Sequence, residues 1–255
     1  MAPTTRAGRA LPSLIGAIVA LHGVVAAGSA AASGLGFADR FVRLDGAWGA
    51  LEVGETAGAP ARLMVTGPAT RFWPRQGIGS GEAAKATYLV SPFGDLQVGV
   101  SYAPTVFGAS LGDARHVIEG AVRHATHLRG AALDFTVGGV RGRARNPLLA
   151  APLRSLMAGG AVTWRHLSFG GAVREQTVPE VTRRNWSAGI AYETGSWGVR
   201  GQMAGTLEDG TPSSGGWDTG VRYRLTPGVA VTAAVTRTRS EEETTVLRLG
   251  TRIAF

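Results

Sequence analysis

The 255-residue chain contains no cysteine, so neither disulfides nor thiolate metal sites can staple it. After residue 32, no apolar run in the sequence approaches the roughly 20 residues that a membrane-spanning helix needs. Any membrane insertion of that part must therefore use strands. Between Glu55 and Glu82 there is no acid at all, although Arg62, Arg71 and Arg75 punctuate the segment.

The groupings that catalysis needs are also missing. His124 and His127 form H-x-x-H, but residues three apart on a strand face opposite sides, so a shared metal is not expected. Gly77, Gly79 and Gly81 supply the glycine of a phosphate loop without the Lys-Ser or Lys-Thr that should follow. Ser80 lacks a nucleophile-elbow context, and parity brings no Ser/His/acid set together. No enzymatic activity, cofactor or metal is expected.

What is present begins with a leader. Arg6 and Arg9 form a basic start, Leu11 to Ala27 an apolar stretch, and Ala30-Ala31-Ala32 a small-residue cleavage site, as in a secretory signal peptide over 1–32. Pro12, His22 and the many small residues argue against an uncleaved anchor. The domain over 33–255 follows it. The formal charge is +8, about +6 once Arg6 and Arg9 leave with the leader. The arginines recur singly rather than in one helix or tail, so no nucleic-acid partner is expected. The short Arg141-Gly142-Arg143-Ala144-Arg145 run reads as a solvated loop.

The whole chain carries 38 glycines, and after the leader it alternates with period two. Trp217, Thr219, Val221, Tyr223 and Leu225 oppose Asp218, Gly220, Arg222 and Arg224. Trp197, Val199, Gly201 and Met203 oppose Gly198, Arg200 and Gln202, and Trp186 to Tyr192 behaves in the same way. Aromatics end the apolar stripes, as interfacial girdles require. The chain closes on Thr244 to Phe255, with Leu247, Leu249, Thr251, Ile253 and Phe255 on one face and Arg248 and Arg252 on the other.

This patterning predicts thirteen strands at 38–46, 47–54, 84–91, 94–103, 116–126, 130–140, 156–165, 167–175, 185–193, 196–206, 216–225, 228–238 and 244–255. Short turns near Asp45-Gly46, Phe93-Gly94, Arg129-Gly130, His166, Thr194-Gly195 and Pro227-Gly228 alternate with longer loops at 55–83, 104–115, 141–155, 176–184, 207–215 and 239–243. The fold class expected is all-β: a transmembrane antiparallel β-barrel of about 12–14 strands with an inward-folded loop. A soluble sandwich or lipocalin-like barrel is the competing architecture, but its apolar stripes would need no aromatic ends.

Five stretches resemble general porins of Gram-negative bacteria, especially those of alphaproteobacteria. Phe41 to Glu55 is similar to the strand pair before the porin constriction loop, and Thr87 to Tyr102 to the hairpin after it. Trp186 to Val199 and Asp218 to Val231 are similar to later hairpins, and Leu249 to Phe255 to the closing strand. The resemblance implies that 55–83 folds inward as the constriction loop. It also implies that three of about sixteen strands are lacking. It further implies an outer-membrane location, with lipid and lipopolysaccharide as surroundings, a homotrimer, and recognition of the terminal strand ending in Phe255 by the barrel assembly machinery.

Parity places Lys85, Arg123, Arg165, Arg174, Arg200, Arg222, Arg224, Arg248 and Arg252 on the face opposite the apolar stripes, with Glu52, Glu119, Asp134 and Asp218 as acids. These are the expected pore-lining residues, and Arg62, Arg71 and Arg75 those of the constriction loop. The expected function is passive diffusion of small hydrophilic solutes with a preference for anions. A nonconducting structural or adhesive barrel, or a shortened porin remnant, is the alternative.

Overall fold

The computed structural model describes residues 40–68, 80–81, 83–106, 113–144, 153–178, 181–240 and 242–253. Among them thirteen strands form one antiparallel sheet in sequence order. They are β1 (Arg40–Gly46), β2 (Gly49–Glu55), β3 (Ala84–Phe93), β4 (Leu96–Val106), β5 (Ala114–Leu128), β6 (Ala131–Ala144) and β7 (Leu153–Trp164), followed by β8 (Leu167–Val178), β9 (Val181–Thr194), β10 (Trp197–Glu208), β11 (Thr211–Thr226), β12 (Val229–Arg239) and β13 (Glu243–Ile253). One short helix, α1 (Ala59–Leu63), lies in the connection between β2 and β3. No described helix is long and apolar enough to cross a membrane.

The hydropathy of the sheet is inverted relative to a soluble core. Glu52, Lys85, Glu119 and Asp218 are at most 1% exposed, whereas Val137, Leu156 and Leu249 are exposed by 64%, 69% and 76%. Alternate residues face opposite sides, so one face gathers the charged and hydroxyl side chains and the other presents an apolar belt. Trp48 stacks on Tyr88 with centroids 6.0 Å apart, and Trp197 meets Tyr223 at 4.6 Å. Both pairs sit near the two-residue turns and bound the belt at that end. Trp186 and Trp217 bound it at the other.

All thirteen expected strands are present, and at one end they are joined by two-residue turns such as Arg129-Gly130 and Pro227-Gly228. The first turn is Ala47-Trp48, two residues beyond Asp45-Gly46. The longer connections at the opposite end differ from expectation. The described part of 176–184, and 207–215, lie mostly in strands instead: β8 and β9 remain paired to Val178↔Val181, and β10 and β11 to Glu208↔Thr211. The apolar stripe stops at Trp186 and Trp217, but backbone pairing does not depend on hydropathy, so both hairpins continue beyond it with polar side chains on either face. Asp209 and Gly210 both have positive φ, 49° and 83°, the conformation of a type I′ hairpin turn, which Asp-Gly favours.

Candidate pore lumen

The inner face is organised by the segment after β2, which turns back across the sheet. Pro60 near the amino end of α1 suits a helix start. The Ala59 N–H donates to Ser101 Oγ on β4 at 2.7 Å, and Thr136 on β6 donates its hydroxyl to the Leu63 carbonyl at 2.6 Å. Further along, a Cβ placed on Gly159 of β7 would lie 2.0 Å from the Val65 carbonyl. The segment thus crosses β4 to β7 in order, and the wall is glycine where the backbone comes closest. Beneath it, Ala103, Val106, Ala114, Val117, Val140, Met157 and Ala172 form an apolar cluster against which Ala61, Met64 and Ala83 pack. This inner apolar surface pins the segment to the wall.

Two buried acids fasten it. Glu52 accepts from Arg62 at 2.8 Å, from Thr56 at 2.9 Å and from Arg43 of β1 at 2.9 Å. Glu119 on β5 takes the Ser80 N–H and lies 3.8 Å from the Lys85 ammonium. Lys85 in turn donates to Ser80 Oγ and to the Gly81 carbonyl. A Cβ on Gly58 would fall 1.6 Å from Glu119 Oε2, so the outgoing arm passes close over the carboxylate that binds the returning one. Unpaired, either buried charge would be costly, so the acid, the lysine and the chain ends support one another.

The β9–β13 side is basic. Asp218 accepts from Gln202 at 3.1 Å and from Thr236 at 2.7 Å, with Arg200 3.7 Å away. Arg222 pairs with Glu193 at 3.0 Å, and Arg183 with Glu208 at 2.7 Å. Register places Arg224 opposite Ala230, Arg248 opposite Ala234 and Arg252 opposite Ala230, all on the Asp218 face. Among the described residues no carboxylate forms an ion pair with these three. A recess of about 260 Å³ lies along this wall, lined by Arg200, Arg222, Thr232 and Arg248 among others.

The remaining expected residues fall as follows. Arg123 and Asp134 form a two-pronged pair, with Nε to Oδ1 at 2.9 Å. Arg174 is buried and donates to Asn185 at 3.0 Å. Arg165 departs from strand parity: it occupies the β7–β8 turn at φ 53°, its guanidinium 5.1 Å from the Trp164 ring centre. A positive-φ turn residue does not obey the alternation of the strand leading to it. Arg62 is neutralised by Glu52. Arg71, Arg75, Phe255 and the leader over 1–32 lie outside the described residues. His124 and His127 fall on opposite faces of β5, and no group of potential metal ligands occurs among the described residues. Charge-based parity overlooked Arg43, Ser101, Gln202 and Thr236, although the same alternation applied to uncharged polar residues marks the last three.

A sheet with a polar inside, an apolar outside bounded by aromatics and a segment folded onto its inner wall is a pore architecture. A family model for the Gram-negative porin matches residues 15–243. The chain belongs to the Gram-negative porin family. That family is non-enzymatic, and its members reside in the outer membrane. Among solved structures, a porin refined at 1.8 Å resolution aligns with a TM-score of 0.61 and 17% identity, over 84% of this chain and 80% of its own. The anion-selective porin from Comamonas acidovorans aligns at 0.60 and 15%, over 84% and 77%. OmpT of Vibrio cholerae in its trimer form aligns at 0.54 and 12%, over 82% and 74%. Among curated proteins, none matches this porin in sequence.

Proposed function

We propose that this porin is a passive diffusion channel for small hydrophilic solutes that favours anions. The observation that carries the preference is the set of Arg224, Arg248 and Arg252 on the inner face without a carboxylate partner among the described residues. Pore-lining charge sets the field that a permeating ion meets, and here the acids are largely spent on pairing: Glu52 and Glu119 on the inward segment, Asp134 on Arg123, Glu193 on Arg222. Lys85 and Arg62 are absorbed in the same way and act as fasteners. Arg200, Arg222, Arg224, Arg248 and Arg252 line the conducting side. The anion selectivity of the Comamonas relative agrees with this reading.

A leader over 1–32 that is cleaved on export belongs to the same proposal, as does a homotrimer, supported by the trimer form of OmpT. The thirteen strands of the described sheet suit the shortened, alphaproteobacterial-type barrel that the sequence motifs imply. A nonconducting barrel is the second reading, favoured by the apolar packing of Ala61, Met64 and Ala83 on the inner wall. Planar-bilayer recording of the refolded protein under a salt gradient tests both. Discrete openings with a reversal potential on the anion side are expected. A potential on the cation side overturns the preference, and a folded but silent protein establishes the second reading.

A further inference from the structure

The inner face of β12 is a strip of small side chains between two arginine-bearing strands. Val231 is 41% exposed on the apolar side, so Ala230, Thr232 and Ala234 point inward by alternation. Register sets Ala230 between Arg224 of β11 and Arg252 of β13, Thr232 between Arg222 and Gly250, and Ala234 between Gly220 and Arg248. The two flanking strands stand two ladder spacings apart, roughly 10 Å, so long guanidinium side chains rise on both sides of a floor that has none. Thr232 directs its hydroxyl aside, donating to the Gly250 carbonyl at 3.2 Å.

The arginines along this strip are not equivalent. Arg222 leans away from it across Gly198, where a Cβ would lie 3.6 Å from the guanidinium nitrogens, and is held by Glu193 at 3.0 Å. Arg200 has Asp218 beside it at 3.7 Å. Arg224 and Arg252, which flank the same alanine, and Arg248 further along β13 have no carboxylate partner among the described residues. Like charges gathered on one face of a sheet repel, and an anion between them offsets that cost.

Two positions for an anion result. One lies over Ala230, between Arg224 and Arg252. The other is the recess of about 260 Å³ that Arg248 lines together with Arg200 and Arg222. Two to four residues of β12 separate them, roughly 7–13 Å. That separation selects the ligand. A compact anion reaches one position at a time, whereas an extended molecule with an oxyanion at each end spans both. The alanines leave space for the chain that joins its ends, and planar guanidinium groups match the paired oxygens of each terminus.

We propose that Arg224, Arg252 and Arg248 form, over Ala230 and Ala234, a binding site for an extended dianionic solute. The inference rests on this face being the inside of a diffusion channel, and it gives that channel a site for one class of solute in addition to a field that favours anions.

The refolded protein in nonionic detergent micelles is titrated with adipate, acetate and sulfate by isothermal calorimetry at constant ionic strength. Adipate, an extended dicarboxylate, should bind about tenfold or more tightly than acetate or sulfate, because its second end binds intramolecularly. R224Q/R252Q should lower adipate affinity by about tenfold. A230L keeps every charge but fills the floor, so it should weaken adipate binding severalfold, and it serves equally if R224Q/R252Q does not refold. Adipate bound no more tightly than acetate or sulfate overturns the proposal, and so does wild-type adipate affinity in either folded variant. Calorimetry does not need conduction. Adipate binding by a protein that is silent in planar bilayers would overturn the channel reading and keep the site, whereas conduction without adipate binding would overturn the site alone.

Discussion

Arg62, on the short helix of the inward segment, donates from its guanidinium to the buried carboxylate of Glu52 on β2 at 2.8 Å. A cation that sequence counting assigns to the constriction is thereby neutralised by the wall. Glu52→Gln removes the charge while keeping the volume and leaves Arg43 and Arg62 cationic. The reversal potential should move further toward anions, and stability in urea should fall by about 1–3 kcal/mol. An unchanged potential would mean that these arginines contribute nothing to the pore field.

The Lys85–Glu119 pair is buried on both sides. Lys85→Met strands the carboxylate and should cost about 3–5 kcal/mol, read from urea unfolding in lipid vesicles. Lys85→Met combined with Glu119→Gln should recover part of that loss. Additive losses in the double-mutant cycle would show that the two groups are not coupled.

Gly159 leaves room for the Val65 carbonyl on the inner wall. Gly159→Leu should push the segment off β7 and raise current noise in single-channel records. The overpacking should cost about 1–3 kcal/mol. Records identical to wild type would mean that the segment does not rest on β7 in the membrane.

Arg224→Gln, Arg248→Gln and Arg252→Gln together remove the inner-face cations that no described carboxylate pairs. Reversal-potential measurements should show a several-fold fall in the anion-to-cation permeability ratio. Asp218→Asn should act in the opposite sense, because Arg200 loses its neighbouring acid 3.7 Å away.

Parity itself can be tested on adjoining strands. Val221 is exposed between Trp217 and Tyr223 of β11, whereas Thr232 stands across from Arg222 on the opposite face. Val221→Arg should cost about 2–4 kcal/mol in lipid, and Thr232→Arg far less. Equal penalties in vesicle-based unfolding would reverse the assignment of inside and outside.

Strand number and order were legible from the sequence because an apolar residue at every second position identifies the stretch that lipid covers. That criterion is silent beyond the lipid, which is why 176–184 and 207–215 read as loops. Asp209-Gly210 held the missing signal, but no flanking apolar alternation drew attention to it. Arg222 and Arg248 were legible for the same reason as Val221, since parity gives both faces at once. The fastening of the inward segment was not. That Ser80, Glu119 and Lys85 meet depends on where a segment of nearly thirty residues returns to the wall, and no local pattern encodes that path.

The paired extensions of β8 to β11 past Trp186 and Trp217 also bear on electrical behaviour. A water-filled tube resists current in proportion to its length and in inverse proportion to its cross-section. A wall that continues beyond the bilayer therefore lengthens the conducting path without narrowing it. Part of an applied voltage then falls outside the hydrocarbon slab, beside the two extended hairpins where the Arg183–Glu208 pair stands. A charge substituted there should alter the current at low salt, when access to the mouth limits flow, and lose its influence as salt rises.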